Sequence, residues 1–247
     1  MTGAFPQVAL VTGSARRIGR TIALSLAERG YDIAVHYRSS REEALALVAT
    51  IEAKGRRAAA IQADLADMAD VATLVSRAAA ALGPLTCLIN NASEFRQDTL
   101  DTLSPQTWTT HHDINFKTPV FLAQALFHGL PAGAKGNIVN VVDQRVLKPT
   151  PDFFSYTLSK AGLWTATRML AQAMAPRVRV NAIGPGPILR SIHQSEADFA
   201  AEQAATLLGR GASPDEIAAA VGFILDAPAM TGQMIALDGG QHLGFRE

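Results

Sequence analysis

Tyr156 and Lys160 stand four residues apart in a stretch whose apolar periodicity predicts a helix from about Ser155 to Met174, so both side chains share one face. A phenol beside an ammonium is suited to proton transfer, because the cation favours phenolate and brings the tyrosine's proton affinity nearer to neutral pH. Many helices contain such a pair by chance, so its meaning depends on its company. That company is the turn Thr12-Gly13-Ser14-Ala15-Arg16-Arg17-Ile18-Gly19, Asn90-Asn91-Ala92, Asn115 and Pro185-Gly186-Pro187. Most of these follow directly on short apolar runs.

The glycine turn points to a phosphate. Gly13 permits a tight turn, Gly19 allows a helix from Ile18 to Arg29 to approach a sheet, and that helix's N-terminus offers unpaired N–H groups to an anion. The spacing is not G-x-G-x-x-G, and a strand–helix turn with no ligand fits the same residues. The next apolar run ends in His36-Tyr37-Arg38-Ser39-Ser40, without the acid that would hold a ribose 2′-hydroxyl; Asp32 lies at the wrong end. Arg38, with Arg16 or Arg17, can pair with a 2′-phosphate, aided by Ser39 and Ser40. A solvated loop arginine is the alternative; the expected cofactor is NADPH rather than NADH. Asp64-Leu65 can accept from and pack against adenine, and capping the following helix is an equally good reading. Lys160 can hold the nicotinamide ribose.

The elements that must position these residues alternate. Strands are predicted at Val8–Val11, Asp32–Tyr37, Ala58–Gln62, Thr86–Asn90, Asn137–Val142, Val178–Ile183 and Gln233–Leu237. Between them run Ala-rich helical patterns that stop at Arg29-Gly30, Lys54-Gly55 and Leu82-Gly83-Pro84, and Ser213-Pro214-Asp215-Glu216 opens another with a capping box. Strands apolar on both faces and separated by helices predict an α/β fold. It is a Rossmann-like, doubly wound parallel sheet of about seven strands with helices on both faces. The expectation is one domain over residues 1–247, with 188–208 as a substrate lid. The 247 residues carry 22 Lys+Arg against 22 Asp+Glu, which removes the basic footprint of a nucleic-acid binder. No stretch reads as a membrane span or a signal peptide, so a cytoplasmic protein is expected. Cys87 is read as inert packing. His111, His112 and His193 lack partner ligands at metal spacing and are read as surface or lid residues, so no metal is expected.

With these motifs assembled, the chain resembles the short-chain dehydrogenase/reductase family from end to end, including Asp238-Gly239-Gly240 after the last strand. The resemblance implies a nicotinamide cofactor, Tyr156 as proton donor, Lys160 lowering its pKa, Asn115 holding a water relay to the lysine, and a homotetramer. Two departures stand out. Arg17 occupies a position where the family normally has glycine, and Asp143 stands where it normally has the serine that donates to a substrate carbonyl. An ionised carboxylate only accepts hydrogen bonds and repels the oxyanion of a ketone under reduction. The pteridine reductases and dihydromonapterin reductases share both departures. They also resemble this chain in the His36-Tyr37 segment and in Asn91-Ala92-Ser93-Glu94-Phe95. That likeness implies Phe95 stacking a pterin on nicotinamide, Ser93 and Arg17 touching pterin and pyrophosphate, and Asp143 with Tyr156 relaying a proton to a ring nitrogen. Asp143 as a loop cap and Phe95 as a core aromatic are the plainer alternatives. At the level of function, the rivals are a reductase of another carbonyl or imine and a non-catalytic NADPH sensor. Retention of Tyr156, Lys160 and Asn115 argues against the sensor.

Overall fold

In the computed structural model the described residues are Phe5, 7–190 and 194–244. They form a seven-stranded sheet of β1 Val8–Val11, β2 Asp32–Tyr37, β3 Ala58–Gln62, β4 Cys87–Asn90, β5 Gly136–Val141, β6 Val178–Pro185 and β7 Met234–Leu237. The order is β3-β2-β1-β4-β5-β6-β7, with every pair parallel. The helices are α1 Arg17–Glu28, α2 Arg41–Ala53, α3 Met68–Leu82, α4 Pro105–His112, α5 Thr118–Gly129, α6 Phe154–Met174, α7 Glu196–Ala204 and α8 Pro214–Asp226. The doubly wound α/β expectation holds, and most predicted strands are displaced by no more than a residue at either end. The exception is β6, which continues two residues further because Ala182, Ile183, Gly184 and Pro185 pair with β7.

Alternation along each strand sends side chains to opposite layers. Ala9, Val11, Ile33, Val35 and Ile89 meet α1, α2 and α8 through Ile22, Leu26, Leu47, Ile51, Ile217 and Val221. Val8, Leu10, Leu88, Ile138 and Val180 meet α3, α5 and α6 through Leu74, Leu122, Leu126 and Met174. Both layers are buried, which is why the strands read as continuous apolar runs. The predicted capping box opens α8: Ser213 Oγ accepts the Glu216 N–H at 3.2 Å and Glu216 accepts the Ser213 N–H at 2.8 Å. Strand order reverses between β1 and β4, and there a crevice opens at the carboxyl ends of the strands. Among the described residues no helix is long and apolar enough to cross a membrane.

Candidate active site

The crevice after β1 has a volume of 370 Å³, lined by the Gly13–Gly19 turn, His36 to Ser40, Asp64, Leu65 and Asn91 to Glu94. Gly13 adopts φ +62 and Gly19 has no room for a side chain: a Cβ there would lie 2.4 Å from the Gly13 carbonyl oxygen. The turn is braced from behind. Thr12 Oγ1 accepts the N–H groups of Asn91 and Ala92, and Asn91 Nδ2 donates to the carbonyls of Thr12 and Gly13. His36 Nδ1 accepts the Gly13 N–H at 2.9 Å, so its proton sits on Nε2, which donates to Ala63 O. Burial holds this imidazole neutral, with its pKa pushed down to about 4. His36 and Asn91 therefore line the crevice but spend their side-chain hydrogen bonds on the loop. Ser14 is fully buried, its N–H is taken by the His36 carbonyl, and its hydroxyl has no partner among the described residues.

α1 opens into this crevice with no side-chain cap and no acid in its first turn, which leaves the N–H groups of Arg17, Ile18 and Gly19 available to an anion. Arg38 and Ser39 are exposed at the end of β2, and the Arg38 guanidinium makes no bond among the described residues. Exposed Arg16 lies 3.5 Å from Glu43. Asp64 Oδ1 accepts the Ala66 N–H, and the buried Leu65 offers its carbonyl to Thr118. The residues present thus suit a dinucleotide with a charged group at its 2′ position.

A second chamber of 430 Å³ adjoins the first across Arg17, Ile18, Asn91, Ser93 and Glu94. Within it the Tyr156 hydroxyl donates to Asp143 Oδ2 at 2.9 Å. Lys160, 1% exposed, donates to the Val141 carbonyl at 2.8 Å, and its Nζ lies 5.8 Å from the Tyr156 ring centre. Burial and the neighbouring Asp143 carboxylate push the Tyr156 phenol well above its ordinary range, against the opposing pull of Arg145 and a hydrogen bond from Ser93. Burial draws Lys160 itself down to about 8. Burial also raises the Asp143 carboxyl, against the opposing pull of Arg145. The phenol is thus a protonated donor resting on the Asp143 carboxyl group.

Asn115 is fully buried. It sits in a π-helical turn, Asp113–Lys117, between α4 and α5. Its Oδ1 accepts from Glu94 N and Ser93 Oγ, and its Nδ2 donates to Glu94 O and Ser159 Oγ. All four side-chain positions are occupied by protein, so the amide lashes the Ser93–Phe95 loop to α6.

Phe95 is not core. It stacks on Phe153 at 4.5 Å and 10°, and meets Tyr156 edge-on at 4.7 Å. Phe153 holds φ +55, rare for a bulky residue, immediately before α6. Arg145 lies over Phe153 at 4.8 Å and over Phe95 at 6.0 Å. Arg17 also has φ +55, which explains why glycine is common there. Its guanidinium donates to the carbonyls of Leu189 and Arg190 at 3.2 and 3.0 Å, tying the Gly13–Gly19 turn to the segment after β6. Pro185 and Gly186 line the same chamber with Gln194, Phe199 and Glu202, the last two on α7.

Sequence reasoning missed Phe153, Arg145, Gln194 and Glu202, which no motif marks. It also misplaced His111. That ring is fully buried, accepting the Arg96 N–H at Nε2 and donating from Nδ1 to Ser155 Oγ, which in turn donates to Asp98. His193 lies outside the described residues, as do 191 and 192 of the expected lid. Cys87 is buried, its thiol pushed up to about 12, consistent with inert packing.

Comparison with known proteins adds the following. A profile described as short chain dehydrogenase matches residues 7–200. The 3-oxoacyl-[acyl-carrier-protein] reductase FabG of Staphylococcus aureus is 35% identical over 240 residues, covering 95% of this chain and 98% of the relative. Among solved structures, FolM alternative dihydrofolate reductase 1 from Brucella suis, in complex with NADP, superposes with a TM-score of 0.94 at 45% identity, over 98% of this chain and 97% of the other. A blue fluorescent protein from a metagenomic library, in complex with NADPH, gives 0.89 at 36% identity, over 95% and 97%.

Proposed function

The chain belongs to the short-chain dehydrogenase family of oxidoreductases, and from that premise we propose that it is an NADPH-dependent reductase of a pterin, of the dihydropteridine or dihydromonapterin type. The observation that carries the reading is the 2.9 Å bond from Tyr156 to Asp143. At this position an ordinary ketone reductase needs a neutral donor, whereas a ring nitrogen that gains a proton is served by a phenol backed by a carboxyl. The Phe95–Phe153 stack beside Tyr156 supports the same reading, since a flat heterocycle gains from an aromatic face. So does the likeness to a FolM structure at 45% identity.

In this reading the α1 N-terminus and Gly13 take the diphosphate, Arg38 with Arg16 and Ser39 takes the 2′-phosphate, and Asp64 and Leu65 meet adenine. Lys160 holds the nicotinamide ribose, and Pro185 and Gly186 flank the nicotinamide. Bound NADPH supplies the hydride to a ring carbon. Tyr156 releases its proton to the neighbouring ring nitrogen, and Asp143, whose carboxyl is raised by burial, refills the phenol. Arg17 and Ser93 edge the substrate, Phe95 covers its face, and the 188–208 segment excludes water. The protein acts on small molecules in the cytoplasm as a homotetramer, with Phe121 of α5 and Leu158 and Met169 of α6 among its exposed apolar residues.

The relatives named as 3-oxoacyl reductases favour a second reading, reduction of a ketone thioester. Following NADPH absorbance with dihydropterins, a 3-oxoacyl thioester and simple ketones separates the two. Turnover confined to the dihydropterins is the expected result, and turnover confined to the ketones excludes the pterin reading.

A further inference from the structure

Arg145 directs two guanidinium nitrogens at two carboxylates: Nη1 lies 3.7 Å from Asp143 Oδ1, and Nη2 lies 3.8 Å from Glu202 Oε1 on α7. Charge-assisted N–H···O bonds close to about 2.7–2.9 Å, so the cation is shared and committed to neither. Its position is nonetheless fixed. The guanidinium lies over Phe153, and its backbone N–H is held by Asp143 Oδ1 at 2.8 Å. Glu202 is fixed as well, accepting from Gln194 Nε2 at 2.9 Å and Gln241 Nε2 at 3.3 Å.

The other charged and titratable groups around Asp143 already have partners. Lys160 rests on the Val141 carbonyl, Arg17 on the carbonyls of Leu189 and Arg190, and Arg96 on Glu94. Tyr156 is the neutral donor to Asp143, and His111, edge-on to Tyr156 at 5.8 Å, is bonded to Ser155. Arg145 is thus the variable charge beside the reaction centre, and a carboxylate outside that centre competes for it.

We propose that Arg145 is a positioning residue coupling the lid helix to the reaction centre: the more firmly Glu202 holds its guanidinium, the less positive charge remains beside Asp143. The inference rests on the reading above, in which Asp143 holds a proton and passes it to the Tyr156 oxygen as the phenol's own proton leaves for the substrate. A guanidinium beside Asp143 opposes protonation of that carboxyl, and Glu202 relieves the opposition when α7 is in place.

The test is a ¹³C-carboxyl NMR titration of the full-length protein with labelled aspartate, with and without NADPH, the resonance assigned with Asp143→Asn. Arg145→Met should raise the Asp143 midpoint by about one pH unit. Glu202→Gln should lower it, because the cation then belongs to Asp143 alone. Arg145→Lys, which keeps the charge, should shift it less than Arg145→Met, and together with Glu202→Gln carries the test if the methionine variant does not fold. A Glu202→Gln midpoint that is unmoved, or that moves in the same direction as Arg145→Met, overturns the coupling. The alkaline limb of kcat for dihydropterin reduction should follow the same order. Midpoints that shift as stated while this limb stays fixed uphold the coupling and remove Asp143 from the proton path.

Discussion

In the proposed mechanism Tyr156 can be separated into its binding and chemical contributions, because it serves the proton path and is not among the residues lining the first crevice. Tyr156→Phe removes the hydroxyl that donates to Asp143 and leaves the ring against Phe95. Turnover should fall by at least about 10²-fold, while the NADPH dissociation constant, read by fluorescence titration, stays within about twofold. Lys160→Ala should damage both, since it also loses the ribose contact. In the proposed reading Arg38 carries the cofactor preference: its guanidinium stands at the crevice in a loop that has no acid. A charge-assisted pair is worth about 1.5–3 kcal/mol, or roughly 10- to 150-fold. NADPH should therefore bind more tightly than NADH by a factor in that range, and Arg38→Asp should close or reverse the gap. The types and spacing of these residues were legible in the sequence. Their electrostatics were not. The i,i+4 spacing places Lys160 beside Tyr156, but it cannot show that the ammonium turns to the Val141 carbonyl or that burial dominates the phenol.

At the scale of the element, α6 delivers Tyr156 and Lys160, and its N-terminus is capped from another loop. Phe153 provides no side-chain cap. Instead Asp98 does so, its carbonyl accepting the Phe154 N–H at 3.1 Å and Oδ1 accepting the Ser155 N–H at 3.1 Å, while Ser155 Oγ donates to Oδ2. His111 closes this buried network from α4. Asp98→Ala should destabilise the protein by about 2–3 kcal/mol in urea unfolding, combining a lost cap with buried groups left unpaired. It should also lower kcat, because Tyr156 is the next residue. The sequence marks helix starts where the cap is local, as at Ser213-Pro214-Asp215-Glu216. It does not mark this one, whose cap is 57 residues distant. For the same reason His111 reads as a surface residue: its partners on α6 and in the Arg96 loop meet it only in the folded chain. Glu202 and Arg145 escaped notice likewise, because a shared ion pair between the 3₁₀ turn Gln144–Val146 and a later helix has no sequence period.

For the whole molecule, buried neutral histidines set the acid limit. His36, 2% exposed, has a folded pKa of about 4 against an ordinary 6.5. The unfolded chain therefore binds more protons between those values. Stability is fully present above about pH 6.5 and is lost as pH falls toward 4, by up to about 3 kcal/mol from this group. His111, also lowered by burial, adds in the same direction. Urea midpoints at pH 7 and 4.5 should show the loss, and His36→Gln, which can still accept the Gly13 N–H, should flatten it. The sheet itself was the most legible level. Apolar runs buried on both faces, alternating with glycine-stopped helices, specify a parallel doubly wound fold because few other arrangements cover both faces of every strand. That fold then dictates a crevice between β1 and β4, where the residues expected to bind the cofactor gather.

The substrate depends on one side chain more than on any other, so the decisive measurement is NADPH oxidation by the wild type and by Asp143→Ser, each with a dihydropterin and with a 3-oxoacyl thioester. A pterin reductase predicts dihydropterin turnover in the wild type, reduced by about 10²-fold in Asp143→Ser, with ketone turnover absent or appearing only in the serine variant. Dihydropterin reduced by Asp143→Ser at the wild-type rate, or a wild type that reduces only the ketone, would contradict it.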